Sequence, residues 1–117
     1  MRKLFLALTC TLFMACGSKK ATLESVDTKT ATHIHILAER ESSLDPFQVN
    51  IQVEGNGLKE SIGTEIFAGQ LDSTNVHFDW REPGVCLITF MQQDNTKRKI
   101  LAVALPERIG LKEMESE

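Results

Sequence analysis

The sequence has 117 residues, with 13 lysines and arginines against 16 aspartates and glutamates and a formal net charge of −3. This length suits a single domain that can bury its own hydrophobic core. Nucleic-acid binding requires clustered basic side chains that neutralise phosphates, and the dense basic cluster here is the run Lys97–Lys99. Because this run falls in a predicted turn, we expect no nucleic-acid partner.

The chain opens with a short cationic start and a run of twelve uncharged residues, 4–15. A membrane-spanning helix needs roughly twenty apolar residues, so this run is too short to span a bilayer but suits the apolar part of a secretory signal peptide. Ala15 precedes Cys16, and Gly17 follows it. This arrangement resembles the lipobox of bacterial lipoproteins, in which the signal peptide is cut immediately before a cysteine that carries the lipid.

The lipoprotein resemblance implies that residues 1–15 are removed and that Cys16 receives a diacylglycerol thioether and an acyl chain such as palmitate. One acyl chain gives only marginal, reversible membrane binding, so the three chains of a lipoprotein would anchor the protein stably. Gly17 stands where an aspartate would retain the protein in the inner membrane, which implies the outer membrane. We therefore expect a lipid-anchored protein of the cell envelope. The alternative is an ordinary signal peptide cut near Ala15.

Three cysteines are present, but only one remains available for other chemistry. Cys10 leaves with the signal peptide and Cys16 is acylated, so Cys86 has no partner for an intrachain disulfide. Cys86 lies in an apolar run, which favours a buried thiol. A nucleophilic Cys86 with His77 as its base is the alternative.

The remaining chain divides into three parts. Residues 16–29 are mostly small and polar, and they predict a flexible tether. Residues 30–111 predict a domain built from short apolar or alternating segments between turns, and residues 112–117 predict a charged C-terminal tail. The predicted strands are 30–39, 47–54, 62–71, 75–80, 85–91, 99–105 and 109–111.

Two of these segments have clear patterns. Residues 47–54 alternate strictly, which is typical of a half-buried strand. Residues 85–91 are apolar almost throughout, which is typical of a strand covered on both faces or placed centrally in its sheet. No segment has the periodicity of an amphipathic helix. The pattern predicts an all-β fold, an antiparallel β-sandwich, immunoglobulin-like or similar, of six to seven short strands.

Residues 63–105 contain an aromatic strand, a Pro-Gly turn at 83–84 and two apolar strands. This segment resembles the small β-sandwich domains that precede thioredoxin-like modules in bacterial lipoproteins. The sequence contains no Cys-x-x-Cys, so the resemblance carries over no redox activity. It implies an accessory or binding module.

Two histidines in one predicted strand raise the question of a metal site. His33 and His35 are two residues apart, so their side chains share a face with Glu39. This spacing resembles the first metal-binding motif of the cupins, and imidazole with carboxylate suits zinc, iron or manganese. The glycines that flank the cupin motif are absent, and His77 can join only if its strand pairs beside this one. The polar face of an exposed strand explains the histidines more simply, so we predict neither metal nor cofactor.

The sequence favours a non-enzymatic, lipid-anchored binding or accessory domain whose partner is a protein or glycan of the cell envelope. One alternative is a small metal-binding protein or metalloenzyme that uses His33 and His35. Another is an immunity or inhibitor lipoprotein that blocks an incoming hydrolase, for which a small acidic chain is suitable.

Overall fold

In the computed structural model, which describes residues 19–114, the chain forms eight strands in two antiparallel sheets of four. The strands of the N-terminal sheet are β1 (Lys20–Asp27), β2 (Thr32–Glu39), β3 (Phe47–Gly55) and β4 (Leu58–Ile66). The strands of the C-terminal sheet are β5 (Val76–Glu82), β6 (Val85–Met91), β7 (Lys97–Ala104) and β8 (Ile109–Met114). Across residues 19–114, no helix has the length and apolar character to cross a membrane.

Each sheet is a simple meander in which strands that are consecutive in the chain are hydrogen-bonded neighbours. Immunoglobulin domains instead use Greek-key connections between their two sheets. The two meanders stack face to face, with β3 against β7 and β4 against β8. The predicted all-β, antiparallel sandwich is confirmed, but it has eight strands instead of the six to seven predicted.

The core lies between the inner faces of the two sheets. Phe47 and Phe90 are its largest fully buried side chains, and they come from opposite sheets. The other fully buried apolar side chains are Ile34, Ile36, Ile51, Val53, Ile66, Cys86, Ile88 and Ile100. Burying one side chain of this size contributes about 1.5–3 kcal/mol, so these residues stabilise the sandwich, in which Cys86 is a free thiol.

Strand β1 lies within residues 16–29, which were predicted to be a flexible tether. Its inward-facing side chains include Ala21, Leu23 and Ser25, which are only half-buried because β1 is an edge strand. Such small and mixed side chains give little apolar periodicity, which is why the sequence pattern missed the strand. The predicted signal peptide (1–15), the predicted lipid site Cys16 and residues 115–117 lie outside the described residues.

Strand β4 begins and ends earlier than the predicted strand 62–71. The turn at Asn56 and Gly57, with φ of 55° and 77°, pairs Gly55 with Leu58 and so starts β4 immediately. Two-residue turns with positive φ match the natural twist of a hairpin. The turn therefore sets the register of the whole β3–β4 pair.

The C-terminal sheet also extends two predicted strands. The basic run Lys97–Lys99 was predicted to lie in a turn but forms the start of β7, paired with the end of β6. Strand β8 continues to Met114, into the segment 112–117 that was predicted to be a tail. Both corrections place lysines on a sheet face rather than in loops.

Candidate functional site

The histidine pair lies on the outer face of the N-terminal sheet. The rings of His33 and His35 stack with centroids 6.4 Å apart and an angle of 6° between their planes. His35 Nδ1 lies 3.7 Å from the carboxylate of Glu24 on the neighbouring strand β1. Glu39 shares this face but lies four residues beyond His35, which is roughly 13 Å along a strand.

His77 cannot join this pair, because it lies on β5 in the other sheet. It is exposed, whereas its strand neighbours Val76 and Phe78 turn towards the core. In the part of the chain from 19 to 114, no three His, Cys, Asp or Glu side chains are grouped so that they could hold a metal ion. His33 and His35 share the outward side of β2 with Leu37 and Glu39.

Cys86 points into the core and is fully buried. Burial raises the pKa of its thiol to about 12, because the core disfavours the charged thiolate. Its cross-strand neighbour on β5 is Trp80, whereas His77 lies opposite Thr89 on the outer face of the sheet. The structure therefore does not bring the thiol and the imidazole together as nucleophile and base.

A shallow depression of about 730 Å³ lies on the outer face of the N-terminal sheet. It opens where Gly63 lacks a side chain opposite Asn50. It is lined by polar residues such as Gln48 and Asn50 and by apolar residues that include the exposed Leu37. The side-chain amides of Gln48 and Asn50 suit hydrogen bonding to a glycan, but the depression is open to solvent.

The outer face of the C-terminal sheet has a different character. In the β6–β7 pair, Val85 lies opposite Val103 and Leu87 lies opposite Leu101. Alternate residues of the same two strands fill the core, so these four side chains point away from it and are only partly buried. We call this two-by-two group the aliphatic face.

Charged side chains border the aliphatic face on both sides. On the β8 side, Lys112 lies opposite Leu101. At one end of the face, Lys99 is the next outward residue along β7. On the β5 side, Asp79 lies opposite Leu87. An apolar centre with a charged rim is the usual anatomy of a protein–protein interface.

The inner strands β3 and β6 differ in the polarity of their outward side chains, although Val26 and Leu37 are exposed apolar residues on the outer face of the N-terminal sheet. The outward residues of the central strand β3 are all polar, whereas those of the central strand β6 include two aliphatic residues and a methionine. The outward residues of β3 are Gln48, Asn50, Gln52 and Glu54. An antiparallel sheet normally presents polar residues to water on its solvated face, so the outward side chains of β6 are an exception.

The sequence contained a partial signal for the aliphatic face. The continuous apolar run 85–91 predicted a strand covered on both faces or placed centrally. Strand β6 is an inner strand of its sheet, and core side chains cover only its inner face. Which residues of β7 lie beside it depended on the register, which the sequence did not specify. No family model, curated protein or solved structure matches the chain.

Proposed function

We propose that this protein is a non-enzymatic binding domain of the cell envelope, anchored by lipid on Cys16 and holding a partner protein through the aliphatic face. The observation that supports this most directly is the pairing of Leu87 with Leu101 and of Val85 with Val103 on an outer sheet face. A contiguous apolar patch on the outside of a domain marks an interaction site, whereas single exposed apolar residues are common on any surface.

The rim defines the chemistry of the partner. Lys112 borders the aliphatic face on the β8 side and Lys99 lies beyond Leu101 on β7, although the whole chain carries a net negative charge. A partner with an apolar patch and carboxylates that meet these two lysines, away from Asp79 on the β5 side, would complement this arrangement. The charge pairs would add specificity and a faster association rate more than affinity.

The lipid anchor is supported by the sequence around Cys16. Ala15 and Gly17 flank the cysteine directly after the uncharged run. Metabolic labelling with an alkyne analogue of palmitate should mark the wild-type protein and the Cys10→Ser control but not Cys16→Ser. Unlabelled wild-type protein would overturn the anchor.

The binding face can be tested in living cells with a photoreactive amino acid at Leu101, at the centre of the aliphatic face. We expect a discrete crosslinked adduct that mass spectrometry can identify. The matched position is Asn50, at the centre of the opposite outer face. An adduct from Asn50 but not from Leu101 would move the site to the depression on the N-terminal sheet.

A charge variant provides a second check on the same face. Leu87→Glu should abolish the adduct at Leu101, because it places a carboxylate in the apolar centre. Gln52→Glu adds the same charge to the other sheet and should leave the adduct unchanged. Equal effects of the two variants would contradict the proposed face. The identity of the crosslinked partner also tests the inhibitor hypothesis, because that hypothesis requires the partner to be a hydrolase.

A further inference from the structure

The described chain begins at one particular end of the sandwich. The backbone N–H of Arg40 donates to the carbonyl oxygen of Lys19 at 2.8 Å, and Lys20 pairs with Glu39. The chain therefore enters the fold where β2 finishes. We call this the N-terminal end; it also carries the loops 40–46 and 67–75 and the turn 92–96.

Cys16 lies only three residues before Lys19. An extended chain covers at most about 3.6 Å per residue, so these three residues reach roughly 11 Å. Because β1 occupies most of the predicted tether, a lipid on Cys16 would hold the N-terminal end close to the bilayer.

The N-terminal end presents two exposed apolar side chains. Leu44 is 91 % exposed and Phe67 is 47 % exposed. Their loops are joined by Arg40, whose Nη1 donates to the carbonyl oxygens of Ser43 at 3.4 Å and Ala68 at 2.9 Å. Leu44 and Phe67 are the chain neighbours of these two acceptors, so one guanidinium fixes both loops at the same end.

We propose that the bilayer that holds the Cys16 lipid covers this end, with Leu44 and Phe67 at the boundary between headgroups and acyl chains. The inference rests on the lipid anchor of the proposed function. Two apolar side chains bind a membrane weakly by themselves. The anchor raises their effective concentration at the surface, so a weak contact is enough to orient the domain.

Charge does not drive this contact. Lys19 and Lys20 would be attracted to anionic headgroups, but Glu41 and Asp45 flank Leu44 and would be repelled. The contact should therefore be insensitive to salt, which screens only the charged interactions. The strands would stand away from the membrane, leaving the aliphatic face open along the side of the domain.

The test uses the complete lipidated protein with a fluorescent bimane probe on a new cysteine. Leu44→Cys places the probe at the N-terminal end, and Glu107→Cys places it in the exposed turn at the opposite end. Cys86 is fully buried and stays unlabelled, and the lipidated Cys16 has no free thiol. Each protein is reconstituted in vesicles of phosphatidylethanolamine and phosphatidylglycerol that contain nitroxide-labelled lipid.

We expect several-fold stronger quenching at position 44 than at position 107, unchanged in high salt. Phe67→Ser in the Leu44→Cys protein should reduce that quenching. Equal quenching of the two probes, whether weak or strong, would overturn the orientation while the anchor stands. Intact mass spectrometry of the same samples reports the lipid, and its absence would overturn the anchor and the orientation together.

Discussion

The guanidinium carbon of Arg40 lies 4.1 Å from the centroid of the Phe47 ring. The same group donates to the carbonyl oxygens of Ala68 at 2.9 Å and Gly69 at 2.7 Å. Arg40 is therefore a buried cation held between an aromatic face and backbone acceptors, which is how a charge is tolerated away from water. It joins the β2–β3 loop to the chain that follows β4.

Replacing Arg40 should destabilise this end of the sandwich. A hydrogen bond to a charged group contributes about 1.5–3 kcal/mol, so we expect Arg40→Met to lower the free energy of unfolding by about 2–4 kcal/mol. Urea denaturation followed through the fluorescence of Trp80 measures this. The matched control is Arg81→Met, since Arg81 is 57 % exposed in its ion pair with Asp79 and should cost about 0–1 kcal/mol. Equal effects would contradict the structural role of Arg40.

Gly84 and Gly57 provide a matched pair of substitutions. Both have positive φ, of 78° and 77°, so alanine strains the backbone equally at each position. A Cβ on Gly84 would lie 2.8 Å from the carbonyl oxygen of Ala104, whereas Gly57 has open space around it. We expect Gly57→Ala to cost about 1–2 kcal/mol from the left-handed backbone, and Gly84→Ala to cost clearly more. Thermal unfolding of both variants measures the difference, and equal costs would show that no clash exists.

The sequence predicted best those strands whose two faces differ most. Strand β3 consists of the strictly alternating segment 47–54 and one further residue, Gly55, and β6 coincides with the segment 85–91. Strand β1 was missed because its inward side chains are small and half-buried, and Arg40 was missed because an arginine after a strand looks like any solvated loop residue. Its acceptors Ala68 and Gly69 are 28 and 29 residues away in the chain.

The aliphatic face was also only partly predictable, because it depends on contacts between residues that are far apart in the chain. The apolar character of residues 85–91 was evident, but the aliphatic face also needs Leu101 and Val103 beside them. A shift of one residue in register would have turned those side chains into the core. Local patterns specify which residues are apolar, whereas the pairing of β6 with β7 specifies which ones stay outside.

Asp27 should make stability depend on pH. Its carboxylate accepts hydrogen bonds from the backbone N–H of Gly84 at 2.8 Å and from the hydroxyl of Thr30 at 2.8 Å. These hydrogen bonds lower the pKa of Asp27 below its ordinary value of 3.8, and the bond from Gly84 has the largest effect. Folding therefore favours the charged carboxylate. Its contribution to the free energy of unfolding is complete above pH 3.8 and is lost as the pH falls through the lower pKa of the folded state.

We therefore expect Asp27→Asn to be less stable than the wild type at pH 7, with a difference that shrinks as the pH approaches 3. Urea unfolding at a series of pH values measures this. Hydroxyls and backbone N–H groups of Thr74 and Thr96 also lower the pKa values of Asp72 and Asp94, so the comparison with the variant isolates Asp27. Asp45→Asn removes a carboxylate from an exposed loop as the charge control. A difference that stays constant across this pH range would contradict the role of Asp27.

Cys86 should be chemically silent in the folded protein. Its side chain has no exposure, and burial raises the pKa of the thiol to about 12, so the reactive thiolate is scarce at pH 8. A thiol reagent such as dithionitrobenzoate should therefore react only after the sandwich unfolds. In a Cys16→Ser protein that lacks residues 1–15, Cys86 is the only thiol, and its rate of modification measures opening of the core.

The urea dependence of this reaction distinguishes global from local opening. Cys86 lies on the central strand β6, between β5 and β7, so exposing it requires separation of the two sheets. The modification rate should rise with urea with the same slope as global unfolding, because strands in the core open only with the whole fold. Glu107→Cys adds an exposed thiol that should react at once. Rapid modification of Cys86 without urea would show that the C-terminal sheet opens independently of the rest.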